Sequence, residues 1–308
     1  MRPPRLTDFL VRRPTLDDAD AVAVLITERN RVDFGEIEGL EFSASELREW
    51  WRLDEASLER DGWLAHIDGQ LVAYVRARSE RDLANLEDES AVHPAARGRG
   101  IGWHLLDLAE AWARERNLAR LHVHVVNDDG RRLAEDRGHE IVRYFWRMEI
   151  ALDEEPPEAE APDGFELRGY RPGEDDEELH AVHQEAFAEH WEFTPEPLET
   201  WLRGRASRSD YNPELWRLAV ADGSIAGAAL AFGERHLGWV LDLAVSPAHR
   251  RHGLGDALLR SAFRALWQRG HTRVGLEVDS ENETGATRLY ERAGMAVTRR
   301  YATYEKRL

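Results

Sequence analysis

Two stretches of this chain read as a pair of apolar runs broken by Asp-Gly. Trp63 to Ile67 and Leu71 to Ala77 flank Asp68-Gly69, and Trp216 to Ala221 and Ile225 to Phe232 flank Asp222-Gly223. Asp-Gly supplies the positive φ angles of a tight turn, so each stretch predicts a β-hairpin. The pattern around each hairpin repeats too. In the first half a strand over Phe9–Arg13 precedes a helix opened by Thr15 with acids in its first turn, then a helix over Ser45–Leu53. After the hairpin come a strand near Leu86–Val92, a helix over Ile101–Arg116, a strand over Leu121–Val126, a short helix over Gly130–Arg137 and a strand region over Ile141–Leu152.

The second half predicts the same order. Phe165–Tyr170 is a strand, and Asp175–Ala188 and Leu198–Arg205 are helices. The hairpin follows, then a strand over Trp239–Val245, a helix over Leu254–Arg269, a strand over Val274–Val278, a helix over Glu283–Ala293 and a last strand over Val297–Arg307. Between the halves lies DEEPPEAEAPDG, Asp153 to Gly164, which is rich in proline and acid and lacks apolar periodicity. It predicts an extended, exposed linker. The expected fold class is α/β: two tandem domains, 1–152 and 165–308, each a mixed, mostly antiparallel sheet flanked by helices.

Composition narrows the function. A formal charge of −18 disfavours nucleic acid or an anionic membrane as partner. The chain has no cysteine, which excludes disulfides, thiolate metal sites and a cysteine nucleophile. The N-terminus lacks the apolar core of a secretory signal, and no apolar run is long enough to span a bilayer; a cytoplasmic protein is expected. His122 and His124, and the set His180, His183 and His190, match no zinc spacing, so no metal is expected. Trp191, Phe193, Trp201 and Tyr211 form an aromatic set, as do Trp50 and Trp51; core packing is their ordinary explanation.

The chemistry concentrates at a motif that occurs twice. Arg97-Gly98-Arg99-Gly100-Ile101-Gly102 and Arg250-Arg251-His252-Gly253-Leu254-Gly255 both fit R-x-x-G-x-G. Each follows Ala-Val-x-Pro at a strand end (Ala91, Val92, Pro94; Ala244, Val245, Pro247) and opens a helix. The first N–H groups of a helix have no internal partner, glycines let a ligand reach the backbone, and arginines raise the potential. Such a turn is built to hold a pyrophosphate. The spacing and position fit neither the dinucleotide G-x-G-x-x-G nor the G-K-[ST] triphosphate loop.

Element order and loop spacing resemble the GNAT superfamily of acyltransferases, one domain per half. The resemblance implies acetyl-CoA as cosubstrate, with its pyrophosphate on the backbone of the loop, from Arg250 to Asp256 in the second half and Arg97 to Gly102 in the first. It also implies that the strand backbone near Leu243 and Val245, and Val92 in the first half, meets the pantetheine arm, and that Asn282 meets the cofactor. The stretch Asn282 to Met295 is similar to the family's N-x-x-A-x-x-L-Y-x-x-x-G-F, with Asn and Ala one residue further apart. Tyr290 falls where the family has a general acid for the departing thiolate. Aligning Leu133 with Leu289 and Gly138 with Gly294 puts Ala134 in that place in the first half, and alanine donates no proton.

For the base that deprotonates an amine, the acids near the second loop are Asp242 and Glu234, with Glu89 the first-half counterpart of Asp242. Strict alternation places Asp242 on one face with Val240 and Ala244. The His190-Trp191 helix end and the Pro213–Trp216 lead into the hairpin are similar to tandem members of the superfamily, although Trp239 stands where such members carry an acid early in the strand. The expected activity is acetyl transfer to a primary amine of a small molecule by direct attack in a ternary complex, with the second domain catalytic. The alternatives are a non-catalytic acyl-CoA-binding or regulatory protein, and a protein or peptide N-acetyltransferase.

Overall fold

The computed structural model describes residues 9–308 apart from 36–41, 54, 88, 209, 235–236 and 283–284. The chain divides into two compact units. One comprises Met1–Phe145 and Arg300–Leu308, the other Trp146–Arg299.

The first unit runs β1 (Leu10–Arg12), α1 (Ala19–Phe34), α2 (Ala44–Leu53), α3 (Glu55–Asp61), β2 (Gly62–Ile67), β3 (Gln70–Glu80), β4 (Leu83–Leu86), β5 (Ala91–Val92), α4 (Ile101–Glu115), β6 (Arg120–Val125), α5 (Asp128–Asp136) and the start of β7 (Glu140–Ala151). Thr15 and Asp18 form a capping box at a short 3₁₀ turn ahead of α1. Asp68 and Gly69 hold φ values of 49° and 79°, as the predicted hairpin requires. In the region of the predicted strand Leu86–Val92 the structure has two pieces, the end of β4 at Leu86 and β5; the Glu87 N–H still donates to Arg76 O of β3, and the Ser90 N–H turns back to Glu87 O. β4 runs parallel to β6, and β6 pairs antiparallel with the end of the chain, Ala302 to Arg307. That pairing is why the last nine residues belong to the first unit rather than to a contiguous second half.

In the second unit follow β8 (Glu166–Gly169), α6 (Asp176–Phe187), α7 (Leu198–Ala206), β9 (Arg217–Ala221), β10 (Ser224–Glu234), β11 (Leu237–Val245), α8 (Leu254–Trp267), β12 (Arg273–Asp279), α9 (Ala286–Arg292) and β13 (Ala296–Arg307). Strands β8 to β11 are antiparallel neighbours, and β12 runs parallel to β11. The sheet is thus mixed, with helices on both faces. The near-continuous apolar run of β10 has a simple cause, since both its faces are covered. Ala229 and Ala231 pack with Leu258, Leu259 and Phe263 of α8. Ala228, Leu230 and Phe232 pack with Leu179 and Val182 of α6 and Trp201 of α7. Trp201 and Tyr211, from the aromatic set, belong to that second core.

The linker has no helix or strand, as expected, but it is packed rather than free. The Arg264 Nη1 donates to Pro156 O at 2.6 Å, and Arg264 pairs with Glu155 at 2.8 Å. Further on, Pro162 lies 3.6 Å from where a Cβ on Gly253 would stand, and Phe165 meets the rings of His249 and His252. The segment therefore follows α8 from its C-terminal half back to the loop before it. Among the described residues, no helix is long and apolar enough to cross a membrane.

Candidate active site

In the second unit, β11 and β12 share three rungs, Leu237↔Arg273 to Trp239↔Gly275. Beyond these, β11 stays paired with β10 as far as Val245. The later residues of β11 and β12 share no rung, so a cleft opens between the strand ends. Trp239 marks where it starts. Its ring lies over Gly275, where a Cβ would come within 2.7 Å of it, and the Arg147 guanidinium stacks on it at 4.8 Å.

The cleft edge carries a β-bulge. Leu230 pairs with Asp242 but Ala231 pairs with Val240, so Leu241 is an extra residue on β11. A bulge breaks the two-residue alternation of faces. Val240 packs into the α8 core, while Asp242 turns to the opposite face, toward α6 and α7. The expectation that these two share a face is corrected on that account.

Asp242 is buried there among partners that sequence reasoning missed in this role. Arg205 Nη2 donates to its Oδ2 at 2.8 Å, and His183 Nε2 stands 3.2 Å from the same oxygen. Trp201 Nε1 donates to His183 Nδ1 at 3.2 Å. Burial opposes charge on Asp242, but the His183 hydrogen bond and the Arg205 charge outweigh it and hold the carboxyl below the usual range. His183 and Arg205 come from separate helices far apart in sequence, so no local motif announces them. Glu234 ends β10, paired with Leu237; its side chain lies outside the described residues.

His190 follows α6, its ring 4.3 Å from that of Phe187. Burial lowers its pKa first; the charges of Asp279 and Asp242 oppose this, those of Arg250 and His183 add to it, and the net shift is downward. The charges that act on it come from β11, the loop, α6 and the end of β12.

The loop runs from Ser246 through a 3₁₀ turn over Pro247–His249 into α8. Its two arginines differ. Arg250 is committed inward, donating to Glu189, Ala186 O and Val245 O. Arg251 has no ion-pair partner among the described residues and holds φ at 70°, where the first unit has Gly98 at 73°. From Arg251 to Asp256 the backbone N–H groups donate to nothing else among the described residues. Gly253, at φ 84°, is the N-cap of α8 and needs the freedom of glycine. Gly255 needs its small size, since a Cβ there would lie 2.8 Å from Leu289 Cδ1. That closeness seats Leu289, and with it α9, against the start of α8, while Tyr290 packs in the same core as Leu254 and Leu258. Leu254 is buried, His252 Nδ1 lies 3.3 Å from His249 O, and Asp256 pairs with Arg260 at 2.7 Å. Leu243 and Val245 pack toward the α8 core and offer their backbone to the cleft edge. Asn282 lies between β12 and α9, its N–H donating to Asp279 O at 3.1 Å.

Tyr290 is 7 % exposed, and its hydroxyl takes no hydrogen-bond partner among the described residues. Burial alone pushes its pKa up to about 12, so the phenol stays protonated at any physiological pH.

The first unit keeps the loop but changes its surroundings. Gly98 and Gly100 hold φ at 73° and 84°, and Gly102 lies 3.0 Å from Leu133 Cδ2, counted from its missing Cβ. Val92 ends β5 and Ile101 is buried; Arg99 sits within the loop. Arg97 is clamped by a bidentate pair with the buried Asp33 of α1, at 2.7 and 2.8 Å. Asn127 Nδ2 donates to the same carboxylate at 2.7 Å while its Oδ1 caps α5 at Gly130. Ala134 is buried at the position of Tyr290.

A mixed sheet flanked by helices, with a glycine-rich loop leading from a strand end into a helix, occurs twice and defines an acyltransferase fold; the buried phenol of Tyr290 belongs to the second unit alone. Residues 26–139 and 177–295 match the acetyltransferase (GNAT) family, and the chain belongs to it; it is an acetyltransferase of that type. Among its relatives are the mycothiol acetyltransferases of Catenulispora acidiphila, 34% identical over 72% of this chain and 73% of that one, and of Streptomyces coelicolor, 30% identical over 91% and 89%. A GCN5-related N-acetyltransferase structure from Sphaerobacter thermophilus superposes with a TM-score of 0.84 at 33% identity, covering 98% of this chain and 96% of that one. A tandem GNAT protein from the clavulanic acid biosynthesis pathway shares the fold, with a TM-score of 0.75 at 19% identity over 97% and 98%.

Proposed function

We propose that the second unit transfers an acetyl group from acetyl-CoA to the primary amine of a small molecule, by direct attack within a ternary complex. The observation that carries this is the loop from Arg251 to Asp256, whose backbone N–H groups are unpaired among the described residues, with α9 held against it through Leu289 and Gly255 and the protonated phenol of Tyr290 in the core that α8 covers. The free N–H groups from Arg251 to Asp256 and the unpaired Arg251 guanidinium take the pyrophosphate. The backbone of Leu243 and Val245 lines the pantetheine arm and orients the thioester, and Asn282 stands at the cofactor's other side.

In the reaction the amine nitrogen attacks the thioester carbonyl, the C–N bond forms and the C–S bond breaks. Tyr290 gives its proton to the departing thiolate, and the second proton, which the nitrogen sheds on becoming an amide, restores the phenol through water. The acceptor arrives as an ammonium and must lose a proton first. His190, uncharged at neutral pH, takes it directly or through water. Asp242 stays a carboxylate because Arg205 and His183 hold it so; it is a weak base and serves to draw in the ammonium. Glu234, at the end of β10, is the remaining carboxylate for this step.

The names of the relatives favour an acceptor of the mycothiol kind. Trp239 at the cleft entrance shapes that end of the site with an indole, which leaves the acceptor here assigned by class. The first unit, with Ala134 for the acid and Arg97 tied to Asp33, serves binding or architecture. The test is acetyl transfer from acetyl-CoA across a panel of primary amines that includes the unacetylated mycothiol precursor. Turnover lost in Tyr290→Phe but kept when Arg97 is changed supports the reading; acetyl-CoA binding without turnover on any amine or peptide would leave a regulatory protein instead.

A further inference from the structure

In the second unit nearly every half-buried arginine has a carboxylate: Arg168 has Asp175, Arg205 has Asp242, Arg208 has Asp210, Arg264 has Glu155, and Arg147 and Arg273 share Glu149. Arg217, at the start of β9, is an exception among the described residues. Its Nε donates to Ser261 Oγ of α8 at 2.9 Å, and among the described residues it has no ion-pair partner. Burial, unopposed by any charge, pulls its pKa down. An unpaired half-buried cation carries a desolvation cost that a bound anion would offset.

Arg217 faces a cavity of about 550 Å³, in the size range of small-molecule sites. The cavity lies between the packed linker, β8, β9 and the C-terminal half of α8. Arg217 and Ser261 lie on the α8 face of the sheet, whereas Asp242 and His183 are on the other, so this is not the acyl-transfer cleft. Its walls have three kinds of chemistry. Arg217 supplies a cation; Phe165 and Leu167 supply apolar surface; Glu158 supplies an exposed carboxylate that does not pair with Arg217. A polyanion would meet Glu158 and a chain of charge −18. A simple cation would leave Arg217 unanswered. A ligand with one carboxylate, one ammonium and a short apolar body answers all three. Phe165 also meets His249 and His252, so the cavity is one side chain away from the loop.

We propose that this cavity is a second ligand site for a small zwitterion of free amino acid or dipeptide size, its carboxylate on Arg217 and its ammonium on Glu158. The site is independent of the acyl-transfer reading, and its test needs no turnover. The full chain is titrated calorimetrically with the common amino acids and with simple dipeptides. The best binder is then compared with its deaminated carboxylate and its decarboxylated amine. Saturable binding at millimolar concentration or below, weakened about tenfold or more by loss of either ligand charge and by Arg217→Gln, is expected. Glu158→Gln, on the exposed rim, should weaken it without disturbing the core. Asp242→Asn should leave it unchanged, since binding that follows Asp242 belongs to the acyl-transfer cleft. The proposal is overturned if no panel member binds, if affinity is indifferent to Arg217→Gln in a folded variant, or if the amine-free carboxylate binds as tightly.

Discussion

The Trp201 indole donates its Nε1–H to Nδ1 of His183 at 3.2 Å, which leaves the imidazole's one N–H on Nε2, aimed at Asp242. Arg205 binds the same carboxylate from α7. The cluster ties α6, α7 and the bulged strand β11 together on the sheet face opposite α8. Asp242→Asn keeps the size but leaves the Arg205 charge with the partly exposed Glu196, 3.8 Å away, as its remaining ion-pair partner. Removing one member of a buried pair costs about 3 kcal/mol. Urea unfolding of Asp242→Asn should show a loss near that size, and a change under about 1 kcal/mol would remove the cluster from the stability of this unit.

Tyr290→Phe should separate chemistry from stability. The hydroxyl is buried by desolvation without a hydrogen bond, so deleting it should leave stability unchanged or slightly raised. Turnover should fall about 10²-fold, the usual scale of general acid catalysis, with the KM for acetyl-CoA nearly constant. An acyl donor with a more acidic thiol should recover much of the rate, because its thiolate leaves without a proton. If the variant slows all donors equally, the phenol shapes the site rather than donating.

A base with a lowered pKa gives a defined pH profile. His190 must be neutral to accept a proton, so kcat/KM should fall as pH drops through a value below the ordinary 6.5 of histidine. The phenol, at about 12, adds no alkaline limb across the working range. In His190→Gln the acidic limb should move or vanish, with rate reduced about 10-fold or more. An unaltered limb would shift the assignment to Glu234.

Much of this was legible in the sequence where neighbours along the chain determine the structure. Asp68-Gly69 and Asp222-Gly223 dictate their hairpins, and Pro247 with Gly253 dictates the strand–turn–helix of the loop. What escaped depends on distant partners. The bulge at Leu241 arises from how β10 and β11 fit together, and it alone decides which face Asp242 takes. Arg250 and Arg251 look interchangeable as letters; Glu189 and Ala186, contributed by the α6 end, make one structural and leave the other free. The last strand reads as the end of the second repeat, yet the ladder from Ala302↔Val125 to Arg307↔Arg120 assigns its final residues to the first unit.

The backbone of Arg251 permits a two-substitution test of the loop. Its φ of 70° suits glycine and strains any other residue by about 1 kcal/mol. Arg251→Gly and Arg251→Ala both delete the guanidinium and should raise the KM for acetyl-CoA alike, by about 10-fold for one charge-assisted phosphate contact. Thermal unfolding should nevertheless rank Arg251→Gly above Arg251→Ala. Equal KM to the parent in both would mean that the backbone N–H groups hold the pyrophosphate alone.

The first unit carries its own pH sensitivity. His139, 3 % exposed, has its pKa pushed down to about 4, chiefly by burial; Glu110 opposes the shift, and Lys306 and Arg137 add to it. Glu110 in turn accepts from Lys306, the sole lysine of the chain, and from Arg137, both at 2.8 Å. Between the unfolded value of 6.5 and the folded value near 4, the unfolded chain binds the proton that the folded unit refuses. Stability from this group is therefore complete above the unfolded pKa and is lost as pH falls toward 4, by about 3 kcal/mol in all. Denaturant unfolding of His139→Leu should show a shallower pH slope across that window than the parent. Below it, protonation of carboxylates such as Glu110, whose pKa is held down by Lys306 and Arg137 against burial, should dominate in both proteins alike. Parallel slopes from pH 6.5 to 4 would show that the imidazole is protonated in the folded unit without cost, with Glu110 close enough to neutralise it.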